Sequence, residues 1–324
     1  MLNYIIRRIL YAIPILIGVN LITFVLFFVV NSPDDMARMH LGMKRVTPAA
    51  IQGWKQEHGY DKPLVINSKD TGIAKFTDTI FFQNTIRLFA FEFGRSDDGR
   101  DISYDITQRM WPSLMLAVPS LIIGLAINIT FALLVAFFRA SYIDMWGVIL
   151  CVVLMSISGM FYIIGGQFLL GKVLHLVPIS GFDMKDPFRF LVIPVIIAVM
   201  SGIGTGVRWY RTIFLEEIEK DYVRTARAKG LPETLVLFKH VLKNAMIPIL
   251  TGVVVVLPTL FMGSLISESF FGIPGLGSYT IDAINNQDFA IVRSMVFLGS
   301  VLYIVGLILT DISYTLVDPR IRLQ

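Results

Sequence analysis

Ser113–Phe138 reads SLMLAVPSLIIGLAINITFALLVAFF, and none of its side chains is charged. A bilayer hydrocarbon core about 30 Å thick is crossed by about 20 apolar residues in a helix. This run is long enough, and it lacks the alternating apolar and polar positions of a membrane-barrel strand. Further runs of the same kind lie at roughly 9–30, 146–170, 190–207, 247–267 and 293–315. The 324-residue chain is 55% hydrophobic and 16% charged, with a mean hydropathy of +0.69. Soluble domains are typically about 45–50% apolar and about 25% charged. The expected fold is therefore an all-α membrane protein with six transmembrane helices.

The basic residues between these runs are unevenly placed. Arg7 and Arg8 precede the first run, and Arg139 follows the second. Arg208, Arg211, Lys220, Arg224, Arg227, Lys229, Lys239 and Lys243 lie between the fourth and fifth, and Arg320 and Arg322 end the chain. With alternating spans all of these share one side. The short loops opposite carry only Lys172, Lys185 and Arg189. Short loops rich in Lys and Arg stay in the cytoplasm, so both termini are expected there. Long loops translocate largely regardless of charge, which places 31–112 on the other side. The first run is too long for a signal-peptide core, and Asn31-Ser32-Pro33-Asp34-Asp35 follows without a small-residue cleavage site, so it reads as an uncleaved anchor. Cys151 is the single cysteine, which excludes an internal disulfide and a cysteine metal cluster. The expected organisation is an anchor span at 1–30, an extracytoplasmic insert at 31–112, and a five-span core at 113–324 with a cytoplasmic loop at 208–246.

The insert mixes turn signals (Thr47-Pro48, His58-Gly59, Asp61-Lys62-Pro63) with an apolar patch, Ile80-Phe81-Phe82. A segment of this size folds only marginally by itself. It reads either as a loop packed on its own spans or as a docking platform. Gly202-x-Gly204-x-Gly206 is no nucleotide fingerprint: no strand precedes it, and small residues in spans allow helices to approach closely.

Asp221–Pro248, DYVRTARAKGLPETLVLFKHVLKNAMIP, is a charged insertion between two apolar runs. It reads as two helices. The first spans about Ile218 to Lys229 and is rich in Ala, Lys and Arg. Asp221 in its early turn and Lys229 in its last complement the helix dipole. Gly230 fits the left-handed position after a helix end, and Pro232 follows. Pro232 and Glu233 open the second helix. Tyr222, Thr225, Ala226 and Lys229 fall near one face. Such a helix fits a protein groove, and it equally fits a solvated loop helix whose Arg and Lys touch anionic headgroups.

At this point the sequence resembles a known family. Tyr222-Val223-Arg224-Thr225-Ala226-Arg227-Ala228-Lys229-Gly230 is similar to the EAA loop of ABC-importer membrane subunits, which reads YVRTARAKG in the peptide group. His240-Val241-Leu242-Lys243-Asn244-Ala245 and Ile247-Pro248 fit its continuation. Arg224 stands where the general signature has Glu, as is usual in the peptide branch. Ile6-Arg7-Arg8-Ile9-Leu10, Phe93-Gly94-Arg95-Ser96 and Glu268-Ser269-Phe270-Phe271-Gly272-Ile273-Pro274-Gly275-Leu276-Gly277 resemble further family elements. So do Asp311-Ile312-Ser313-Tyr314 and Asp318-Pro319-Arg320-Ile321-Arg322. Phe131-Ala132-Leu133-Leu134-Val135 departs from it, since relatives often carry Pro and Gly there. The chain is thus similar to DppB/OppB-type permease subunits of dipeptide or oligopeptide ABC importers. The resemblance implies the type I permease fold, a bacterial cytoplasmic-membrane location, and a C-type second permease subunit. It also implies two cytoplasmic ATPase subunits, an extracytoplasmic solute-binding protein and a peptide substrate. The ATPase-coupling residues it implies are Tyr222, Arg224, Thr225, Ala226, Ala228, Lys229 and Gly230. It implies no cofactor and no nucleic-acid partner.

The residues exclude several other chemistries. No G-x-x-x-x-G-K-[ST] segment is present, so energy must come from another chain or an ion gradient, and the resemblance implies ATP hydrolysis on partner subunits. A secondary transporter usually carries ionisable groups at mid-span or inverted repeats. The span centres are nearly free of charge, and Glu268 and Asp311 fall near span ends, where an interfacial position explains them. His40, His58, His175 and His240 lack H-E-x-x-H spacing, and Gly263-Ser264 lacks the G-x-S-x-G frame, so neither metal nor catalytic residues are expected. Asn128, Ser156 and Gln167 are pore candidates, with helix–helix hydrogen bonding as the alternative. Phe271, Pro274, Gly275 and Gly277 sit in a loop too apolar for plain solvent and are read as an outer gate or binding-protein contact. Relatives of this type also carry nickel complexes, glutathione or peptide antibiotics.

Overall fold

The computed structural model describes residues 2–42, 46–68, 72–175 and 177–317. Apart from one isolated bridge between Arg95 and Asp101, the regular structure among them is helical. Helix α1 (Leu2–Phe24) continues as a π-helical turn, Val25–Val30. Four short helices follow: α2 (Pro33–Leu41), α3 (Pro48–Glu57), α4 (Ala74–Thr77) and α5 (Ile80–Asn84). Then come α6 (Ile102–Phe137), α7 (Tyr142–Ser156), α8 (Gly159–Gly166) with its π-helical extension Gln167–Val173, and α9 (Pro187–Ile218). Helices α10 (Asp221–Ala228) and α11 (Glu233–Leu235) lead through a π-helical stretch, Val236–Leu242, into α12 (Lys243–Val256) and a 3-10 turn, Pro258–Met262. The chain closes with α13 (Leu265–Phe271), α14 (Leu276–Asn285) and α15 (Phe289–Val317). Asp318–Arg322, including Arg320 and Arg322, lies outside the described residues.

Among the described residues five segments are long and apolar enough to cross a membrane: Ile6–Val30, Ile102–Phe137, Pro187–Ile218, Glu233–Met262 and Phe289–Ser313. The sixth expected span, 146–170, is not one straight helix. It consists of α7 and α8 with the latter's extension, bent by 86° at a short break. Ile157 is extended (φ −84°, ψ 129°) and ends α7, and the Ser158 hydroxyl then caps α8 by accepting from Phe161 N at 3.3 Å.

The residues group into two compact units. One holds the chain up to Arg109 together with Tyr279–Ile308. Its core gathers Phe24, Phe28, Met36, Trp54, Tyr60 and Ile80, with Phe289 packed on Phe27 at 5.6 Å between ring centroids. The insert therefore has no private core. Helices α2, α3 and α5 start at hydroxyl caps (Ser32, Thr47, Thr79), and the insert folds against the end of the first span and the start of the last. Asp288 fastens them, accepting the Asp97 N–H at 2.8 Å.

The second unit holds Met110–Ser278 and the end of α15. Helices α7 and α9 run in close contact because glycines sit where a side chain would collide. A Cβ on Gly204 would fall 2.6 Å from the Cys151 carbonyl oxygen. Arg211 forks onto Asp144, with Nε and Nη2 each donating at 2.9 Å, so one two-pronged bond fixes the register of the same pair. Lower in the unit, Phe214 and Ile218 of α9 meet Val223, Ala226, Val236 and Val241 in one buried cluster.

Candidate functional site

Helix α10 is seated from beneath. Val223 and Ala226 are buried against Phe214, Val236 and Val241, while Arg224, Thr225, Ala228 and Lys229 are exposed. Its accessible face is thus the one carrying Arg224, Thr225 and Ala228. Ala226, expected on the contact face, is instead under the helix, and Tyr222 is half-buried and donates its hydroxyl to Glu217. Burial, then that carboxylate, pushes the Tyr222 phenol up to about 12, so it stays a neutral donor. The physical reason is the position of Val223: once it faces the core, Ala226 follows three residues later on the same side.

The helix ends in a full Schellman turn. Gly230 N donates to the Arg227 carbonyl at 2.9 Å and Leu231 N to the Ala226 carbonyl at 3.4 Å, with Gly230 at φ +74°. Across that turn Arg227 forks onto Glu233, through Nε at 3.0 Å to Oε2 and through Nη2 to Oε1. This pair ties α10 to the first residue of the Glu233–Met262 span. Sequence reading missed it, because a spacing of six residues matches no helical pairing; only the turn brings the two together.

Beyond that span the chain builds a cradle around Glu268, which is fully buried. Its Oε1 accepts from Ser264 N at 3.0 Å and its Oε2 from Gly277 N at 2.7 Å and Ser278 N at 3.1 Å. Ser113 adds a hydrogen bond and itself accepts Leu276 N at 2.8 Å. Glu268 is therefore an internal strut rather than an interfacial residue. Three of the expected outer-gate residues belong to the cradle. Phe271 is buried beside Ile163 and Ile193, a Cβ on Gly277 would lie 2.6 Å from the Ser264 carbonyl carbon, and one on Gly275 would strike Glu268 and Ser113. Pro274 is exposed at the tip.

The pore candidates are dispersed. Asn128 is buried against Gly206, whose added Cβ would come within 2.7 Å of the Asn128 Cγ, and its Oδ1 has no partner. Ser156 is exposed at the α7–α8 break and donates to the Val152 carbonyl at 2.7 Å. Gln167 reaches the end of α13, with Nε2 donating to the Phe270 carbonyl at 3.0 Å. A cavity of about 350 Å³ lies elsewhere, lined by Leu116, Leu121, Ala198 and Leu260 together with Ser113, Ser120, Thr259, Ser264 and Ser267. No charged residue lines it. These hydroxyls were not singled out in the sequence, where isolated Ser and Thr in apolar runs carry no periodic signal.

Residues 110–323 match the family described as binding-protein-dependent transport system inner membrane component, and residues 1–117 match its N-terminal component. The chain belongs to this family. It is therefore a multi-pass inner-membrane permease subunit of a transport system. Full-length relatives agree. The chain is 28% identical to the oligopeptide transport system permease protein AppB of Bacillus subtilis, covering 99% of this chain and 100% of the relative. It is 30% identical to a putative peptide transport system permease protein of Brucella suis, with 98% of each covered. It is 29% identical to the glutathione transport system permease protein GsiC of Salmonella paratyphi A, with 99% of each covered.

Proposed function

We propose that this permease subunit carries peptides inward and is driven by ATP hydrolysed on two partner ATPase subunits. A second, C-type permease subunit completes the path, and an extracytoplasmic solute-binding protein delivers the peptide. Both termini and α10 face the cytoplasm in this reading. The observation that carries it is the build of α10: a short helix with an exposed Arg224–Thr225–Ala228 face, seated on a buried underside and clamped by Arg227 and Glu233 to a span. A helix held in this way moves as one body with the span it adjoins. A push on its outer face is then transmitted into the membrane rather than absorbed by a loop.

The relatives support a peptide cargo. The relatives' substrates, oligopeptides and glutathione, have peptide-type amides in common. The test is reconstitution of the complete importer in proteoliposomes with ATP inside. Wild type is expected to accumulate a labelled peptide. Ala228→Glu, on the exposed face of α10, is expected to lose most uptake and co-purification of the ATPase subunits while keeping its expression. Full uptake by Ala228→Glu would overturn the docking role, and uptake of glutathione alone would overturn the general peptide substrate.

A further inference from the structure

Arg293 sits in the second turn of α15 and is only 4% exposed. Its Nη2 donates to the Asn84 Oδ1 at 3.0 Å, and its guanidinium carbon lies 5.4 Å from the Phe28 ring centroid. Among the described residues Nε and Nη1 have no aligned acceptor, and the buried Tyr60 hydroxyl lies beside the guanidinium. Among the described residues no carboxylate pairs with it. The nearby acids make their direct contacts with other groups. Asp288 accepts the N–H groups of Asp97 and Ile291 at 2.8 and 3.1 Å. Asp97 holds His58 at 3.4 Å and His40 at 3.7 Å. A buried charge is ordinarily paired, because leaving one without a counter-charge costs several kcal/mol.

Arg293 also lines a cavity of about 410 Å³ whose wall includes Gln83, Asn84, Arg87 and Arg95. The wall also carries three acids: Glu92 leans to Arg87 at 3.9 Å, Asp97 to His58 at 3.4 Å, and Glu57 is exposed. Cavities that bind small molecules have this size, with a few convergent polar groups. We propose that this pocket in the insert binds a small oxyanion, a carboxylate or a phosphate, which pairs with Nε and Nη1 of Arg293, with Arg87 and Arg95 on the surrounding wall. The site is independent of the transport reading, since it uses none of the residues assigned to coupling or cargo.

The experiment measures thermal unfolding of the purified full-length protein in a zwitterionic buffer low in other anions. Succinate and inorganic phosphate are added in separate arms, and either one raising the midpoint by about 2–4 °C supports the site and identifies the class. Arg293→Met is expected to abolish the shift. An equal shift in Arg293→Met, or no shift with either anion, would overturn the proposal. Should Arg293→Met fail to fold, Asn84→Asp decides. It places a carboxylate against the guanidinium, so its midpoint without anion should exceed that of wild type and respond to neither additive. An Asn84→Asp protein that is less stable, or that still responds as wild type does, counts against the site.

Discussion

Glu268 is pulled in two directions. Burial raises its pKa, while hydrogen bonds from Ser113, Ser264, Ser278 and Gly277 favour the carboxylate. With both oxygens accepting, the cradle suits an acceptor-only side chain. Glu268→Gln keeps the shape but turns one oxygen into a donor that faces backbone N–H groups. Each buried donor left without an acceptor costs about 1–3 kcal/mol. Thermal unfolding of the purified protein should therefore show a clearly lower midpoint for Glu268→Gln than for wild type. A midpoint equal to wild type would mean that the cradle does not hold the loop. The sequence concealed this role because Gly277 and Ser278 return to Glu268 only after the left-handed turn at Gly272. A lone acid beside an apolar run otherwise looks interfacial.

At the scale of elements, caps were legible and faces less so. Gly230 was marked as a helix stop by its type and by Pro232 behind it, and it does adopt the left-handed conformation. The orientation of α10 was not marked, since Val223, Ala226 and Ala228 are all small enough for either side. The break between α7 and α8 was also hidden, because Ile157 is as apolar as its neighbours and hydropathy does not register an extended residue. Gly230 itself gives a clean test. A Cβ there would meet nothing within 4 Å, so only backbone strain opposes substitution, about 1–2 kcal/mol for a residue forced left-handed. Asn tolerates that conformation better than a β-branched residue. In the reconstituted importer, Gly230→Val should lower peptide transported per ATP hydrolysed, and Gly230→Asn should stay near wild type. Equal ratios for both variants would remove the turn from the coupling path.

For the whole molecule, long apolar runs announced the spans because length and composition alone satisfy the bilayer, whereas the grouping into two units depends on contacts between distant segments. Tyr279–Ile308 joins the chain up to Arg109 through pairs such as Arg293 with Asn84 and Asp288 with Asp97, which no local pattern encodes. The charge asymmetry of the sequence predicts that α10 and the insert are labelled from opposite sides of the membrane. Cys151 is buried and is the single cysteine, so Cys151→Ser provides a silent background for thiol labelling. Two probes are then added singly. Thr225→Cys is on the exposed face of α10, and Asp98→Cys replaces a side chain that is 80% exposed in the insert. A membrane-impermeant maleimide should label Asp98→Cys in right-side-out vesicles and Thr225→Cys only in inverted ones. Labelling of both from one face would place an odd number of crossings wrongly. The bent α7–α8 pair would then be the first candidate for a segment that enters and leaves on the same side, because its 86° break is the feature that separates it from the five long helices.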